Sequence, residues 1–282
     1  MLNEKTSIDA QVGSVYWQSR YPESGDRCAI SFHGAASPGS LQSSARTFGL
    51  SAGQAGLRLF AVDHPGYGAS PSPPSAATVD VWDPARLTLA VLEQMDLQGC
   101  ETISVLGHSQ GVTEALRVLT SNNSKVDRAL VFGAGLFEKD KDTDDYWYSR
   151  FHIDRGIADS NRVPRKNWKL IRDLYYLNED YCSSTKAGRS FIAANSGANN
   201  NPDDAPPLHF VQFEREHANL VATRDKLWEC LDYPGAMRHV LPTGHYLDSL
   251  QIGAQIFYQR SSVDLVAELL PNLTPSSAEN ES

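Results

Sequence analysis

Apolar runs of two kinds alternate along the chain. Short runs rich in β-branched and aromatic residues have the pattern of buried strands, and longer runs repeat apolar residues every three or four positions, as helices packed on one face do. This alternation is typical of a mainly parallel sheet covered by helices on both faces. The sequence therefore predicts an α/β fold, with strands at residues 14–20, 27–32, 57–62, 103–106, 126–132, 208–213 and 238–241.

Local signals define several of the connections. A polar turn with glycine at residues 23–26 joins the first two strands closely enough for an antiparallel arrangement. Asp83 as N-cap and Pro84 at the first helical position predict a helix with apolar residues at four-residue spacing. Helical runs are expected to close the chain, before a polar tail at residues 274–282 that we expect to be disordered.

The alternation stops between residues 136 and 206. Charged residues at 138–142 begin this stretch, and aromatic residues are scattered through it. A stretch of this length without the strand pattern indicates an insertion into the domain. We therefore predict one core domain formed by residues 1–135 and 207–273, interrupted by residues 136–206.

Composition and charge exclude several classes of function. The chain of 282 residues carries 25 Lys and Arg against 34 Asp and Glu, a net charge of −9, and it has no basic run of the kind that binds nucleic acid. No apolar stretch of about 18 residues or signal-peptide pattern is present, so we expect no membrane span and a cytoplasmic location. The four cysteines form no C-x-x-C pair, which predicts four reduced thiols and no metal or other cofactor. The oligomeric state is left open, a homodimer being one option.

The candidate chemistry begins at Gly107-His108-Ser109-Gln110-Gly111. This G-x-S-x-G motif lies directly between a predicted strand and a predicted helix. A serine on such a sharp turn projects its hydroxyl above the sheet, and the flanking glycines let neighbouring backbone pass closely. The motif indicates a nucleophilic serine at position 109.

At these residues the chain resembles the α/β-hydrolase family. Further matches are His33-Gly34-Ala35 after one strand, residues 63–70 after the next, and Gly244-His245 near the end, in the family's order. The resemblance implies an α/β-hydrolase fold in which residues 136–206 form a cap or lid. It also implies a catalytic triad in the order nucleophile, acid, histidine.

For the triad, the resemblance identifies Ser109 as nucleophile and His245 as base. The acid is expected just past the strand at residues 208–213, where this chain has Glu214 and Glu216 rather than the family's usual Asp. The two lie on the same face of a continued strand, so alternation does not separate them. The family's spacing favours Glu216, with Glu214 and Glu138 as alternatives.

The same resemblance suggests residues around the reacting bond. The backbone N–H groups of Ala35 and Gln110 are expected to form the oxyanion hole. His33 and His108 flank the site and are expected to shape it, and aromatic residues of the insertion could line a substrate pocket or form the core of the cap. The aromatic candidates are Trp147, Tyr148 and Trp168.

These features support three hypotheses. The first is a serine hydrolase that cleaves a carboxylic ester, lactone or thioester of a small acyl substrate through an acyl-enzyme at Ser109. The second is an acyltransferase, C–C bond hydrolase or lyase that uses the same site. The third is a non-catalytic ligand-binding protein with this fold.

Overall fold

The computed structural model describes about two-fifths of the chain, and these parts contain the central sheet and the helices against it. The described residues are 2–9, 14–19, 25–34, 48–49, 51–63, 90–93, 95–96, 98–119, 125–133, 206–216, 218–230, 233, 236–244, 250–252, 255–257 and 266–269. The predicted cap lies outside them apart from residue 206, and so does the tail at residues 274–282.

Eight strands form one sheet. In chain order they are β1 (Leu2–Asp9), β2 (Ser14–Ser19), β3 (Arg27–Phe32), β4 (Arg58–Asp63), β5 (Thr102–His108), β6 (Val126–Phe132), β7 (Leu208–Arg215) and β8 (Ala236–Gly244). Their order across the sheet is β1-β2-β4-β3-β5-β6-β7-β8. The six strands from β4 to β8 are parallel, and β2 and β1 extend the sheet antiparallel at the β4 side. This confirms the predicted fold class.

The remaining elements are short. A single 3-10 turn at Ser109–Gly111 leads into α1 (Val112–Leu119), and α2 (Ala218–Cys230) connects β7 to β8. Residues 51–54, 90–93 and 266–269 are also helical. A two-stranded antiparallel sheet is formed by β9 (Leu250–Ile252) and β10 (Gln255–Phe257).

The strand predictions hold for the parallel part of the sheet and fail at its periphery. β2 and β3 run in opposite directions as expected, but they are not neighbours because β4 lies between them. β1 was not predicted, since its sequence is mostly polar. The helical ending was wrong for β9 and β10 and correct for residues 266–269.

The core consists of one apolar layer on each face of the sheet. On one face, side chains such as Phe32, Phe60 and Phe210 pack with α1, the helical segment at residues 90–96 and Leu227 of α2. On the other face, strand residues pack with the helical residues around Phe48 and with residues 266–269. Because strand side chains alternate between faces, each central strand contributes to both layers. Helices cover both faces of the sheet, as predicted.

A disulfide links two neighbouring strands at the edge opposite the nucleophile motif. Cys28, in β3, is bonded to Cys100, just before β5, and their Cα atoms are 5.8 Å apart. Both residues are fully buried. The prediction of reduced thiols is therefore wrong for these two residues. They are 72 positions apart, and only the adjacency of β3 and β5 in the sheet brings them together.

Parallel strands bring their carboxyl ends to one edge of the sheet, where ligands bind in folds of this kind. At this edge lie the residues that follow β3, β5 and β7: the His33-Gly34 turn, Ser109 and Glu216. No helix in the described segments is long and apolar enough to cross a bilayer.

Candidate active site

Ser109 has a backbone conformation that few residues other than glycine adopt. Its φ is +53°, and it is the one non-glycine residue with positive φ in the described part of the chain. It comes directly after β5 and starts the 3-10 turn that leads into α1. Left-handed backbone at a non-glycine residue costs free energy and is concentrated at functional sites. The sharp turn leaves Ser109 partly exposed between the buried His108 and Gln110.

Both glycines of the motif are required by the packing of this turn. A Cβ atom on Gly107 would lie 2.6 Å from the Cβ of Ala115 and 2.7 Å from the carbonyl oxygen of Gly111. A Cβ atom on Gly111 would lie 2.3 Å from the carbonyl oxygen of Phe32. Neither position has room for a side chain, so the turn is pressed against α1 on one side and against β3 on the other.

The turn after β3 lies directly against the serine. A Cβ atom on Gly34 would be 2.9 Å from Nδ1 of His108 and 3.1 Å from Cβ of Ser109. The buried His33 ring donates its Nδ1–H to the carbonyl oxygen of Gly34 at 3.0 Å, which fixes both the tautomer of the ring and the direction of the turn. His108 directly precedes Ser109, and His33 directly precedes Gly34, the residue that packs against the serine turn.

This contact bears on the expected oxyanion hole. Gln110 is buried and its backbone is part of the 3-10 turn that Ser109 begins. Ala35 lies outside the described residues, but it follows Gly34, whose backbone touches the serine turn. The two expected N–H donors thus belong to two backbone segments in direct contact.

The two glutamates at the carboxyl end of β7 have different environments. Glu214, within the strand, is exposed, whereas Glu216, just past its end, is partly buried and its Oε2 atom is shielded from solvent. The last paired position of β7 is Arg215, opposite Gly244 of β8. Glu216 and His245 are thus the residues that follow the two members of this last pair in the sequence.

Several predicted site residues cannot be placed by this geometry. His245, Glu138, Trp147, Tyr148 and Trp168 lie outside the described residues. Among the residues that are described, no three His, Cys, Asp or Glu side chains form a group that could hold a metal ion.

The sequence interpretation missed a buried carboxyl group on the helix that follows the serine. Glu114 is fully buried in the first turn of α1. Burial raises the pKa of Glu114 to about 8, partly offset by the charge of Arg117. The available signal was an acidic residue within an otherwise apolar stretch, from Val112 to Leu116.

A second unexpected feature is a histidine pair on β7 and β8. Nδ1 of His209 and Nε2 of His239 are 3.0 Å apart, with the rings nearly parallel. Burial lowers the pKa of His209 to about 4, with further lowering by His239 and Arg128. Burial also lowers the pKa of His239. His239 lies within β8 and is partly buried.

Comparison with known proteins agrees with the fold and with the position of the motif. A family model described as the alpha/beta hydrolase fold matches residues 32–220, which is more than half of the chain. The chain belongs to the alpha/beta hydrolase family. The match includes the His33-Gly34 turn, the serine motif and the two glutamates at the carboxyl end of β7. No curated protein matches this alpha/beta hydrolase at a significant level.

Solved structures with the same fold include proteins of different activities. Est1E from Butyrivibrio proteoclasticus, solved with ferulic acid, has a TM-score of 0.57 at 13% identity, with coverage of 95% of this chain and 96% of its own. A meta-cleavage product hydrolase from Pseudomonas fluorescens IP01 has a TM-score of 0.52 at 15% identity, with coverage of 95% of this chain and 96% of its own. A cold-adapted esterase from an Arctic intertidal metagenomic library has a TM-score of 0.50 at 16% identity, with coverage of 92% of this chain and 88% of its own. Identities this low show the fold alone.

Proposed function

We propose that this protein is a serine hydrolase that cleaves a carboxylic ester, lactone or thioester of a small molecule. Ser109 is the nucleophile, His245 the base and Glu216 the acid, and the backbone N–H groups of Ala35 and Gln110 bind the oxyanion. The observation that carries the proposal is the positive φ of Ser109 at the strand-to-helix turn, where the motif glycines have no space for a side chain.

In the first half of the reaction, His245 takes the proton of the Ser109 hydroxyl while the oxygen attacks the substrate carbonyl carbon. The negative charge that develops on the carbonyl oxygen is stabilised by the two N–H donors, each worth about 3 kcal/mol in the transition state. The tetrahedral intermediate then collapses. His245 donates its proton to the departing alkoxide or thiolate, and the acyl group stays on Ser109.

In the second half, water replaces the leaving group. His245 takes a proton from the water as the hydroxide oxygen attacks the acyl carbon, and the same two donors stabilise the second oxyanion. Collapse of this intermediate returns the proton to Ser109 and releases the carboxylic acid. Glu216 stabilises the imidazolium form of His245.

The environment of the glutamates supports Glu216 over Glu214 as the acid. The Oε2 atom of Glu216 is shielded from solvent. Glu216 follows Arg215, which pairs with Gly244, and Gly244 directly precedes His245 in the sequence. Because neighbouring strands lie about 4.8 Å apart, we expect the residues that follow this pair, Glu216 and His245, to be close enough for a side-chain hydrogen bond. Glu214 is exposed and two residues earlier.

We further propose that residues 136–206 form a cap over the carboxyl edge of the sheet. Their place in the chain supports this, since they begin after the carboxyl end of β6, the edge of the sheet at which Ser109 follows β5. Trp147, Tyr148 and Trp168 are candidates for contact with the acyl group.

C–C bond hydrolysis is a second candidate. The similarity to a meta-cleavage product hydrolase from Pseudomonas fluorescens IP01 favours it, since that protein covers nearly the whole chain. The two functions are distinguished by turnover of a meta-cleavage product against turnover of p-nitrophenyl esters.

The experiment for the proposed function is a panel of p-nitrophenyl esters, lactones and acyl-thioesters of graded acyl length. We expect turnover of short to medium acyl groups, a loss of at least about 10⁴-fold in Ser109→Ala, and no effect of Gly49→Ala, which lies away from the site. Unchanged turnover in Ser109→Ala would contradict the proposal.

The disulfide bears on the predicted cytoplasmic location. Disulfides persist in oxidising compartments and are rare in the cytosol. The buried Cys28–Cys100 bond therefore favours an oxidising compartment over the cytoplasm. Thiol alkylation of denatured protein taken directly from its native cells tests this. If Cys28 and Cys100 react with the alkylating reagent only after reduction, they were disulfide-bonded, which indicates an oxidising location.

A further inference from the structure

The pairing of β7 with β8 changes register immediately before the candidate acid and base. Phe213 pairs with Leu241, but the next pair is Arg215 with Gly244. Two steps along β7 therefore correspond to three along β8, so β8 carries one extra residue. The extra stretch includes Pro242, which has no N–H to contribute to the sheet.

A register shift interrupts the ladder of backbone hydrogen bonds between two strands. Two arginine side chains donate hydrogen bonds to backbone carbonyl groups at this shift. Nη2 of Arg215 donates to the carbonyl oxygen of Pro242 at 3.0 Å, and Nη1 of Arg224, on α2, donates to the carbonyl oxygen of Phe213 at 3.0 Å. One arginine therefore supports the bulged part of β8 and the other the facing part of β7.

Arg215 connects the two strand ends. It directly precedes Glu216, and its side chain is bonded to Pro242, in the segment that leads to His245. A displacement of Pro242 would move the end of β8 relative to the end of β7. It would thereby change the distance between the two residues that follow, which have to stay within hydrogen-bond reach.

We propose that Arg215 is a positioning residue, which fixes the alignment of Glu216 with His245 through its hydrogen bond to Pro242. This inference rests on the proposed function, since it assumes that Glu216 and His245 act together. The guanidinium group takes no part in the chemistry. It holds the bulge in the one register that brings carboxylate and imidazole together.

The test compares Arg215→Met, Arg215→Gln and Arg215→Lys with wild type on a p-nitrophenyl ester. The molar fraction of active enzyme is set by fluorophosphonate titration. We expect Arg215→Met to lower kcat by about 10- to 100-fold with little change in KM, because a small misalignment weakens the transition state more than substrate binding. Arg215→Lys should recover most of the loss, since an ammonium group can also donate to Pro242.

The pH profile provides a readout that general loosening of the fold would not change. A carboxylate near an imidazole raises the pKa of the imidazole, so a displaced Glu216 lets the acid limb of kcat/KM move to lower pH. We expect this shift in Arg215→Met, a smaller shift in Arg215→Gln and none in Arg215→Lys.

Arg238→Met is the matched control. Arg238 also ties β8 to its neighbours, through bonds to Gln212 of β7 and Asp225 of α2, but it lies before the register shift. It should leave kcat within about twofold and the acid limb in place.

Equal effects of Arg215→Met and Arg238→Met, or a loss of kcat without a pH shift, would overturn the inference. If Arg215→Met does not fold, the same criteria apply to the Gln and Lys variants. Ser109→Ala, measured in parallel, separates the two proposals. Turnover that survives in Ser109→Ala rejects the proposed function. If Ser109→Ala loses turnover but the Arg215 variants keep it unchanged, only the role of Arg215 is rejected.

Discussion

Gly111, two residues after the candidate nucleophile, packs against the backbone of Phe32 at the end of the neighbouring strand β3. A Cβ atom at position 111 would lie 2.3 Å from the Phe32 carbonyl oxygen and 2.8 Å from the Phe32 Cβ. The serine turn thus has its position set by the strand that leads into the His33-Gly34 turn.

Gly111→Ala tests this coupling. The added methyl group has to push the serine turn away from β3, and we expect a loss of about 100-fold in kcat and at least about 2 kcal/mol in the free energy of unfolding. Ester turnover and chemical denaturation measure the two effects. Gly49→Ala is the control: among the residues that the structure describes, its methyl group would meet Leu59 at 4.0 Å, and it lies in a helical segment, so stability should stay the same or rise slightly. Equal behaviour of the two variants would show that the contact at Gly111 is unimportant.

Glu216→Gln and Glu214→Gln test the assignment of the acid. The neutral amide keeps the shape of Glu216 but cannot stabilise an imidazolium, so we expect kcat to fall by about 10²- to 10⁴-fold. Glu214→Gln should remain within about threefold of wild type, because an exposed carboxylate interacts weakly through solvent. A large loss in Glu214→Gln alone would reverse the assignment, and small effects in both would favour Glu138.

The buried Glu114 predicts a characteristic dependence of stability on pH. Its folded-state pKa of about 8 lies above the ordinary value of 4.5, so the folded state keeps a proton that the unfolded state releases between these pH values. Wild-type stability attributable to this group is complete below pH 4.5 and is lost as pH rises to about 8.

Glu114→Gln removes this dependence because glutamine resembles the protonated carboxyl group. The variant should match wild type near pH 4.5 and become the more stable protein as pH rises, by at least about 1 kcal/mol at pH 8. Urea unfolding at a series of pH values measures the difference, with the exposed Glu229→Gln as control for the lost charge. Parallel curves for wild type and Glu114→Gln would contradict the prediction.

The disulfide should contribute substantially to stability. A cross-link between residues 72 positions apart restricts the unfolded chain by about 4 kcal/mol in the loop-entropy estimate. We expect the double variant Cys28→Ala/Cys100→Ala to unfold at a lower temperature, with the same kcat at low temperature, since the bond lies at the edge of the sheet opposite Ser109. Reductant should destabilise wild type and leave the double variant unchanged. The same response to reductant in both would assign the effect to something other than the Cys28–Cys100 bond.

The sequence reveals those features whose physical requirements are local. The turn at Ser109 was predictable because Gly107 and Gly111 stand within two residues of it, and the parallel strands because each is a compact apolar run. β1 and the β9–β10 hairpin were not predicted. β1 is mostly polar, and the pairing of β1 with β2 and of β9 with β10 is made by backbone groups, which the side-chain pattern does not reveal.

Features that depend on strand order could not be read from the sequence. Cys28 meets Cys100 only because β3 and β5 are neighbours. Glu214 and Glu216 are equivalent by alternation, and they differ in the structure because β7 ends at Arg215, opposite Gly244. The bond between Arg215 and Pro242 likewise joins residues 27 positions apart, on two strands whose alignment the sequence does not specify.

Covalent labelling of the nucleophile tests the proposed serine chemistry most directly. The intact protein is treated with a fluorophosphonate probe, its mass is measured, and the modified peptide is sequenced by mass spectrometry. We predict one adduct per chain, located on Ser109 and absent from Ser109→Ala, while Gly49→Ala is labelled like wild type. An adduct that persists in Ser109→Ala, or a folded wild-type protein that takes up no probe, would contradict a catalytic role for Ser109.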